Sequence, residues 1–564
     1  MIKSAQKWKE VSFFLVFILV AFFIFWKCSF GFGNADESFV LTIPFRLTQG
    51  DGLFSQEWHL SQMAGFLTYP FVSLFLKIKG NTDGIILTFR YLYSFVTCLV
   101  SIYAYQRLKK MNWIGAATAA ISILLYAPYN IMTLSYNTLG IMSLIVSLTT
   151  IMSAQKNCRV QYVIAGVFYA FAVLCCQFLA VVYIGYLIFV LLKRASKNRG
   201  TFDYKLFNTT CAGYLTLGAL LTAVVFLVFV FSRTSFSQIL DSISWILNDP
   251  EHKISLLYKF VLYFRAVLMP NVSTPFVYLL FIGLFIFYLC DKQRRGNRYY
   301  YFIAATFITL LLFASHYFGN NYINDMMWPL NMLALVVFIL TDNRKIKSVF
   351  YTLWLPGMLY GFCINISSNQ TYHAIFSASS VATVGSILMV GMFLNEINTE
   401  TKVVFLKKTC SVLVILSFVV QIMTVGILRY NGVFGETGIR SQTELIQSGS
   451  QAGLRVSAEL YSEYCIANEE INSLAKYEPQ KVLFLSKKAW LYFIDDYEIA
   501  AFSAWLSGVN TYTVEKLLAY YELNPDKKPD VVYAEIQHEE FLEQLGQALG
   551  MNKVSTPYGI ALIK

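Results

Sequence analysis

Gly-Asn-Ala-Asp-Glu-Ser-Phe, residues 33–39, places the acidic pair Asp36-Glu37 ten residues beyond the first apolar segment, Val11 to Trp26. Lys3, Lys7 and Lys9 precede that segment, so it is expected to enter a membrane from the cytoplasm and to leave the pair just outside the far membrane–water boundary. No small-residue cleavage site follows Trp26, and a dozen further apolar segments do, so the opening reads as a retained anchor rather than a signal peptide. A carboxylate at that height can deprotonate a hydroxyl while a lipid-borne substrate lies in the bilayer beside it.

The rest of the chain supports this frame. Hydrophobic residues make up 57% of it and charged residues 14%, with mean hydropathy +0.54, the composition of a polytopic α-helical membrane protein. Segments able to cross a bilayer begin near residues 11, 84, 113, 138, 160, 178, 206, 273, 299, 323, 349, 374 and 409, about 13 spans. The loops this map assigns to the cytoplasm hold 23 Lys and Arg, including Arg107/Lys109/Lys110, Lys193/Arg194/Lys197/Arg199/Lys205 and Lys292/Arg294/Arg295/Arg298, against 7 in the outer loops before residue 428. The net charge of +11 is therefore orientation, with no stripe for nucleic acid. Ten scattered cysteines show no C-x-x-C spacing and read as small apolar residues between helices.

An odd span count puts the C-terminus outside. Residues 1–428 form the transmembrane unit, with a first outer loop of about 28–83, and 429–564 form a small external α/β domain. Its expected elements are strands at Lys481-Val-Leu-Phe-Leu-Ser, Asp530-Val-Val-Tyr-Ala-Glu-Ile and Tyr558-Gly-Ile-Ala-Leu-Ile, and a helix from Gln537 to Leu549. In the first loop, Glu37–Gln49 and Ser61–Lys79 are expected to lie in the interface as amphipathic helices. A second long loop, about 233–271, carries Trp245, Asp249, Glu251, His252, Lys253 and Arg265.

All five histidines (His59, His252, His316, His373, His538) fall outside or at outer helix ends, as do nine of the 15 acidic residues before 428, Asp325 among them. That bias points to an outward-facing polar cavity. Asp36 and Glu37 are the candidate general bases, the alternative for them being a solvated loop start or a helix cap. Glu57, His59 and Gln62, in the run Gln-Glu-Trp-His-Leu-Ser-Gln (56–62), are candidate substrate ligands. Glu57 and His59 stand two apart and could pair on a divalent metal, but two ligands make weak evidence, and no metal or other cofactor is expected. Arg90 lies about one and a half turns into the second span, where charge is costly and faces a cavity or a partner; it could hold a lipid phosphate.

The order of these features resembles the membrane glycosyltransferases of the GT-C fold, among them the protein O-mannosyltransferases and the lipid A aminoarabinose transferases. The hallmark of that family is an acidic residue, often Asp-Glu, directly after span one, then interfacial helices and an Arg near the start of span two. Asp36-Glu37, residues 38–79 and Arg90 match in that order, and Ile164-Ala-Gly-Val-Phe-Tyr-Ala-Phe-Ala-Val-Leu looks like the Gly-rich fifth span. Two runs depart from the pattern: residues 56–62, and Leu134-Ser-Tyr-Asn-Thr-Leu after span three, which lacks the usual charge.

The resemblance implies a hexosyl- or pentosyltransferase that moves a sugar from a polyprenyl-phosphate donor to an extracytoplasmic glycan, lipid or protein, with inversion. Asp36 would be the base, and outer cations such as Arg90 would hold the leaving phosphate. Such a donor needs no nucleotide site, and no P-loop or dinucleotide fingerprint is present. The competing readings are a polysaccharide polymerase or O-antigen ligase, and a transporter. The first usually lacks an acidic pair after span one. The second would show paired broken helices, of which only Pro356-Gly357 is visible. The sugar, the acceptor and the choice between Asp36 and Glu37 stay open in the sequence.

Overall fold

The computed structural model describes residues 2–33, 35–155, 158–195, 204–248, 255–368, 372–433, 438–495, 497–505, 512–534 and 539–564. Asp249, Glu251, His252 and Lys253 of the second long loop, His538, and the loop cations Lys156, Lys197 and Arg199 lie outside the described residues.

Each of the thirteen apolar segments is a helix. Among the described residues nine helices, from Lys7–Lys27 to Val404–Asn431, are long and apolar enough to cross a membrane. The other four are shorter. Arg159–Cys175, Leu179–Ala195 and Thr274–Cys290 have 17 residues each, and Trp113–Leu125 has 13. At 1.5 Å per residue the last rises only about 20 Å, against a hydrocarbon core of about 30 Å. The chain is a polytopic α-helical membrane protein.

Close packing has identifiable causes. A Cβ on Gly166 would meet the Leu215 carbonyl oxygen at 2.0 Å, and one on Gly218 would meet that of Val163 at 2.0 Å, so helices Arg159–Cys175 and Thr209–Phe231 touch backbone to backbone. The Pro356-Gly357 pair does not break its helix: a π-turn over Phe350–Trp354 absorbs the irregularity and the helix runs on from Leu355 to Ser367.

Trp113–Leu125 ends at Tyr126, and the chain runs without α-helix to Ser135. There a capping box starts the next helix, Tyr136–Ser153: the Thr138 amide donates to Ser135 Oγ (3.3 Å) and the Ser135 amide to Thr138 Oγ1 (2.8 Å). This is what the uncharged turn at Leu134–Leu139 does.

Among the described residues the C-terminal region carries seven strands: β1 (Glu444–Leu445), β2 (Arg455–Val456), β3 (Lys481–Leu485), β4 (Glu498–Ile499), β5 (Val531–Ala534), β6 (Asn552–Ser555) and β7 (Ile560–Ile563). β1 and β2 pair alone. The others form one mixed sheet, order β4-β3-β5-β7-β6, with β3 parallel to β4 and β5, and β7 antiparallel to β5 and β6. Helices Ala458–Leu474, Val514–Leu523 and Glu539–Leu549 accompany it.

The first loop forms the two expected helices, Asp36–Thr48 and Ala64–Lys79. The first is not a helix with one face in lipid and one in water, because its residues 37–47 are all buried. Its Phe39, Leu41 and Phe45 belong to one apolar core with Trp58, Trp490, Phe502 and Tyr520, so the C-terminal domain covers the face that would have met water. Backbone bonds fasten the two: the Trp58 amide donates to the Phe502 carbonyl (2.8 Å), and the amides of Gly31 and Arg455 donate to the carbonyls of Arg455 and Ser29 (2.7 Å each).

Candidate active site

Successive residues of a helix point about 100° apart, so the two acids that open helix Asp36–Thr48 cannot share one environment. Glu37 turns inward. It is 2% exposed and takes a two-pronged bond from Arg90, Nε to Oε1 at 2.5 Å and Nη2 to Oε2 at 2.6 Å. Arg90 Nη1 donates to the carbonyls of Cys28 (2.8 Å) and Phe30 (3.2 Å). All three guanidinium nitrogens thus tie the end of the first span and the start of the loop to the second span.

Asp36 turns the other way and is half-buried. Its charge acts on the phenols of Tyr129 and Tyr322. Burial pushes both phenols above the ordinary tyrosine range; nearby phenols add to this at Tyr129 and Asp325 adds to it at Tyr322, and Asp36 adds further at both. Both therefore stay neutral and able to donate.

Tyr129 and Asn130 hold left-handed backbone, φ +58° and +59°, costly for a tyrosine. Asn324 stabilises the turn: its Oδ1 accepts from the Tyr129 amide (3.0 Å) and the Tyr126 hydroxyl (3.0 Å), and its Nδ2 donates to the His373 carbonyl (3.0 Å). One amide side chain thus joins three loops around the site.

Next to Asn324, Asp325 is fully buried. Its Oδ1 lies 3.1 Å from His373 Nδ1, and its Oδ2 accepts from Asn320 Nδ2 at 2.6 Å. His316 Nδ1, at 4.0 Å, is too far for a hydrogen bond. The His373 ring packs on Tyr322 and Tyr372, centroids 4.1 Å away in each case. Beside this group a polar cavity is lined by His59, Tyr129, Tyr136, Gln177, Ser367 and Ala374.

The six residues singled out in the sequence separate accordingly. Asp36 acts by its charge on the two tyrosines, and His59 lines the cavity, its Nδ1 2.7 Å from Ser61 Oγ and its ring edge-on to Phe39. Glu37 and Arg90 hold each other. Gln62 is buried, and its Oε1 accepts from the amide of Phe54 (2.6 Å), which is itself in left-handed backbone.

Glu57 is buried against Arg46: Nη1 to Oε2 is 2.9 Å, and the other oxygen accepts from the His59 amide at 3.0 Å. Arg46 also reaches Asp51 (Nε to Oδ2, 2.8 Å), the Gln56 carbonyl and the Tyr520 hydroxyl, and Lys527 of the C-terminal domain closes the group on Asp51 Oδ1 at 2.5 Å. Burial pushes the Glu57 carboxyl above its usual range against the pull of Arg46. Burial works against the charge of Arg46, but Asp51, Tyr520 and Glu57 together hold its guanidinium well above the ordinary value. Glu57 and His59 do not converge, since only the His59 amide meets the carboxylate. Among the described residues no group of three or more His, Cys, Asp or Glu side chains is placed to hold a metal ion.

Sequence reasoning gave no role to Tyr129, Tyr322 or Asn324, and named Asp325, His316 and His373 only for their side of the membrane. The run Asn320-Asn-Tyr-Ile-Asn-Asp, polar in an otherwise apolar stretch, was the available signal.

No family model matches the chain, and no curated protein matches it in sequence. Solved structures do match. The apo crystal structure of the Archaeoglobus fulgidus oligosaccharyltransferase superposes with TM-score 0.51 at 11% identity, over 94% of this chain and 70% of that one. ArnT from Cupriavidus metallidurans bound to undecaprenyl phosphate gives TM-score 0.44 at 12% identity, over 98% of each chain. The helix order, the first-loop helices beneath a C-terminal domain and the superposition on the archaeal enzyme lead to one assignment: the chain has the GT-C fold.

Proposed function

We propose that this protein transfers a sugar from a polyprenyl-phosphate donor to a hydroxyl-bearing glycan, lipid or protein acceptor on the extracytoplasmic face, with inversion at the sugar and with Asp36 as general base. The observation that carries this reading is the division of the acidic pair. Glu37 is locked to Arg90, whereas Asp36 is half-buried and its charge is felt by two neutral tyrosines.

Two cavities share walls from helices Tyr136–Ser153, Arg159–Cys175 and Leu355–Ser367 and suit an amphiphilic donor. The polar one has Gln177 and Ser367 in its wall. An apolar one of about 480 Å³, lined by Tyr183, Tyr186, Phe189, Leu355 and Leu359 among others, lies further along helix Leu355–Ser367, against Leu179–Ala195. By polarity the first suits a sugar phosphate and the second a polyprenyl chain. The acceptor oxygen attacks the anomeric carbon as Asp36 takes its proton, and the bond from that carbon to the phosphate oxygen breaks with its electron pair going to the phosphate. No metal or cofactor enters this reading, and a chelator should leave transfer unchanged.

The test is the sugar composition of cell-envelope glycans in a deletion strain complemented with wild type or Asp36→Asn. Loss of one sugar, restored by wild type alone, supports the reading. Full restoration by Asp36→Asn removes Asp36 as base.

A further inference from the structure

Arg90, the sequence's candidate for the leaving phosphate, has every nitrogen committed to Glu37 and to backbone carbonyls. Lipid phosphate leaves with a second negative charge, and a site that favours its departure needs a donor where that charge develops. From the geometry we infer that His373, aimed by Asp325, is that donor, a catalytic residue whose Nε2–H bonds the departing phosphate oxygen. This rests on the glycosyl-transfer reading above.

Four observations converge on His373. Asp325 has no exposed surface and holds the imidazole through Nδ1 at 3.1 Å, while Asn320 fixes the other carboxylate oxygen. The His373 side chain is 29% exposed, and its Nε2 has no hydrogen-bond partner among the described residues. Its backbone is fastened by Asn324 to the strained Tyr126–Asn130 turn, and the next residue, Ala374, is in the wall of the polar cavity. The Tyr322 ring packs on His373 with centroids 4.1 Å apart, and its phenol feels the charges of both Asp325 and Asp36, so the base and the dyad act on one phenol.

A displacement with inversion needs its base and its leaving-group donor on opposite sides of the sugar. With Nδ1–H given to Asp325, Nε2 donates only when the ring is the imidazolium, so His373 meets the phosphate as a cation. The proton of the acceptor hydroxyl goes to Asp36, the bonding pair goes to the phosphate, and His373 keeps its proton while its hydrogen bond shortens.

The test measures binding of undecaprenyl phosphate and of undecaprenol to the full chain in nanodiscs, for wild type, His373→Gln and His373→Arg. The expected result is preference of wild type for the phosphate, a loss of roughly tenfold to a hundredfold in phosphate affinity in His373→Gln with undecaprenol unchanged, and partial recovery in His373→Arg. Equal phosphate binding by wild type and His373→Gln overturns the inference and leaves the transferase reading standing. Equal loss of both ligands in both variants makes His373 structural and also overturns it. Failure of wild type to prefer the phosphate removes the lipid-phosphate reading and the inference together.

Discussion

Two clusters of charge lie beneath the C-terminal domain end of this bundle, and they are finished differently. Arg46 gives its three guanidinium nitrogens to Asp51, Glu57, the Gln56 carbonyl and Tyr520, and Lys527 closes the far side of Asp51; Arg46, Asp51, Glu57 and Lys527 are all at most 5% exposed. Around Asp325 the carboxylate is equally buried, but the histidine it holds is partly open and Asp36 stands nearby, half-buried. A network closed on itself has no group left for a ligand and fastens the first loop to the domain. An unfinished one beside a cavity can complete itself on a substrate. Burial of charge alone therefore does not mark a site, whereas an open edge on a held group does.

Substitutions can break this contrast, and Asp36→Asn should do most. Transfer should fall by roughly 10²–10⁴ with the unfolding temperature unchanged, read by product formation and thermal unfolding of the same preparation. Arg46→Met should act the other way. It strands Asp51 and Glu57 among apolar groups and should cost about 3–5 kcal/mol of stability, seen as lost folded protein, with transfer per folded molecule largely kept. A smaller change, Leu359→Trp in the wall of the apolar cavity, should raise donor KM roughly fivefold, about 1 kcal/mol, and leave kcat alone.

The smallest effect concerns pH. Because the folded Glu57 carboxyl lies above its unfolded value, its contribution to stability is greatest below the unfolded value and falls as pH rises through the folded one. Glu57→Gln lacks that loss. Its unfolding temperature relative to wild type should therefore shift in the variant's favour as pH rises from acid, measured as a series of melts.

Much of this architecture is legible in the sequence for simple reasons. Apolar length gives the bundle, and the unbroken apolar runs at Val482–Leu485 and Val531–Tyr533 give two adjacent strands of the domain, β3 and β5. The two-residue β4 and the polar edge strand β6, Asn552–Ser555, carry no such pattern and form through their neighbours. The Asp36–Thr48 helix was legible as a helix but not as a buried one, because the domain that covers it comes some 400 residues later in the chain.

At the site, Asp36, Glu37 and Arg90 stand out by charge, yet their division of labour depends on the Glu37–Arg90 pairing across 53 positions. Tyr129, Tyr322 and Asn324 are neutral residues on irregular loops. Nothing periodic distinguishes them among 37 tyrosines and the many polar loop residues.

The most direct measurement is sugar transfer per folded molecule in Asp36→Asn and Glu37→Gln, side by side with their unfolding temperatures. The account predicts that Asp36→Asn is folded and inactive, while Glu37→Gln melts early and transfers at close to the wild-type rate per folded molecule. The reverse pattern, a stable inactive Glu37→Gln beside an active Asp36→Asn, would contradict it.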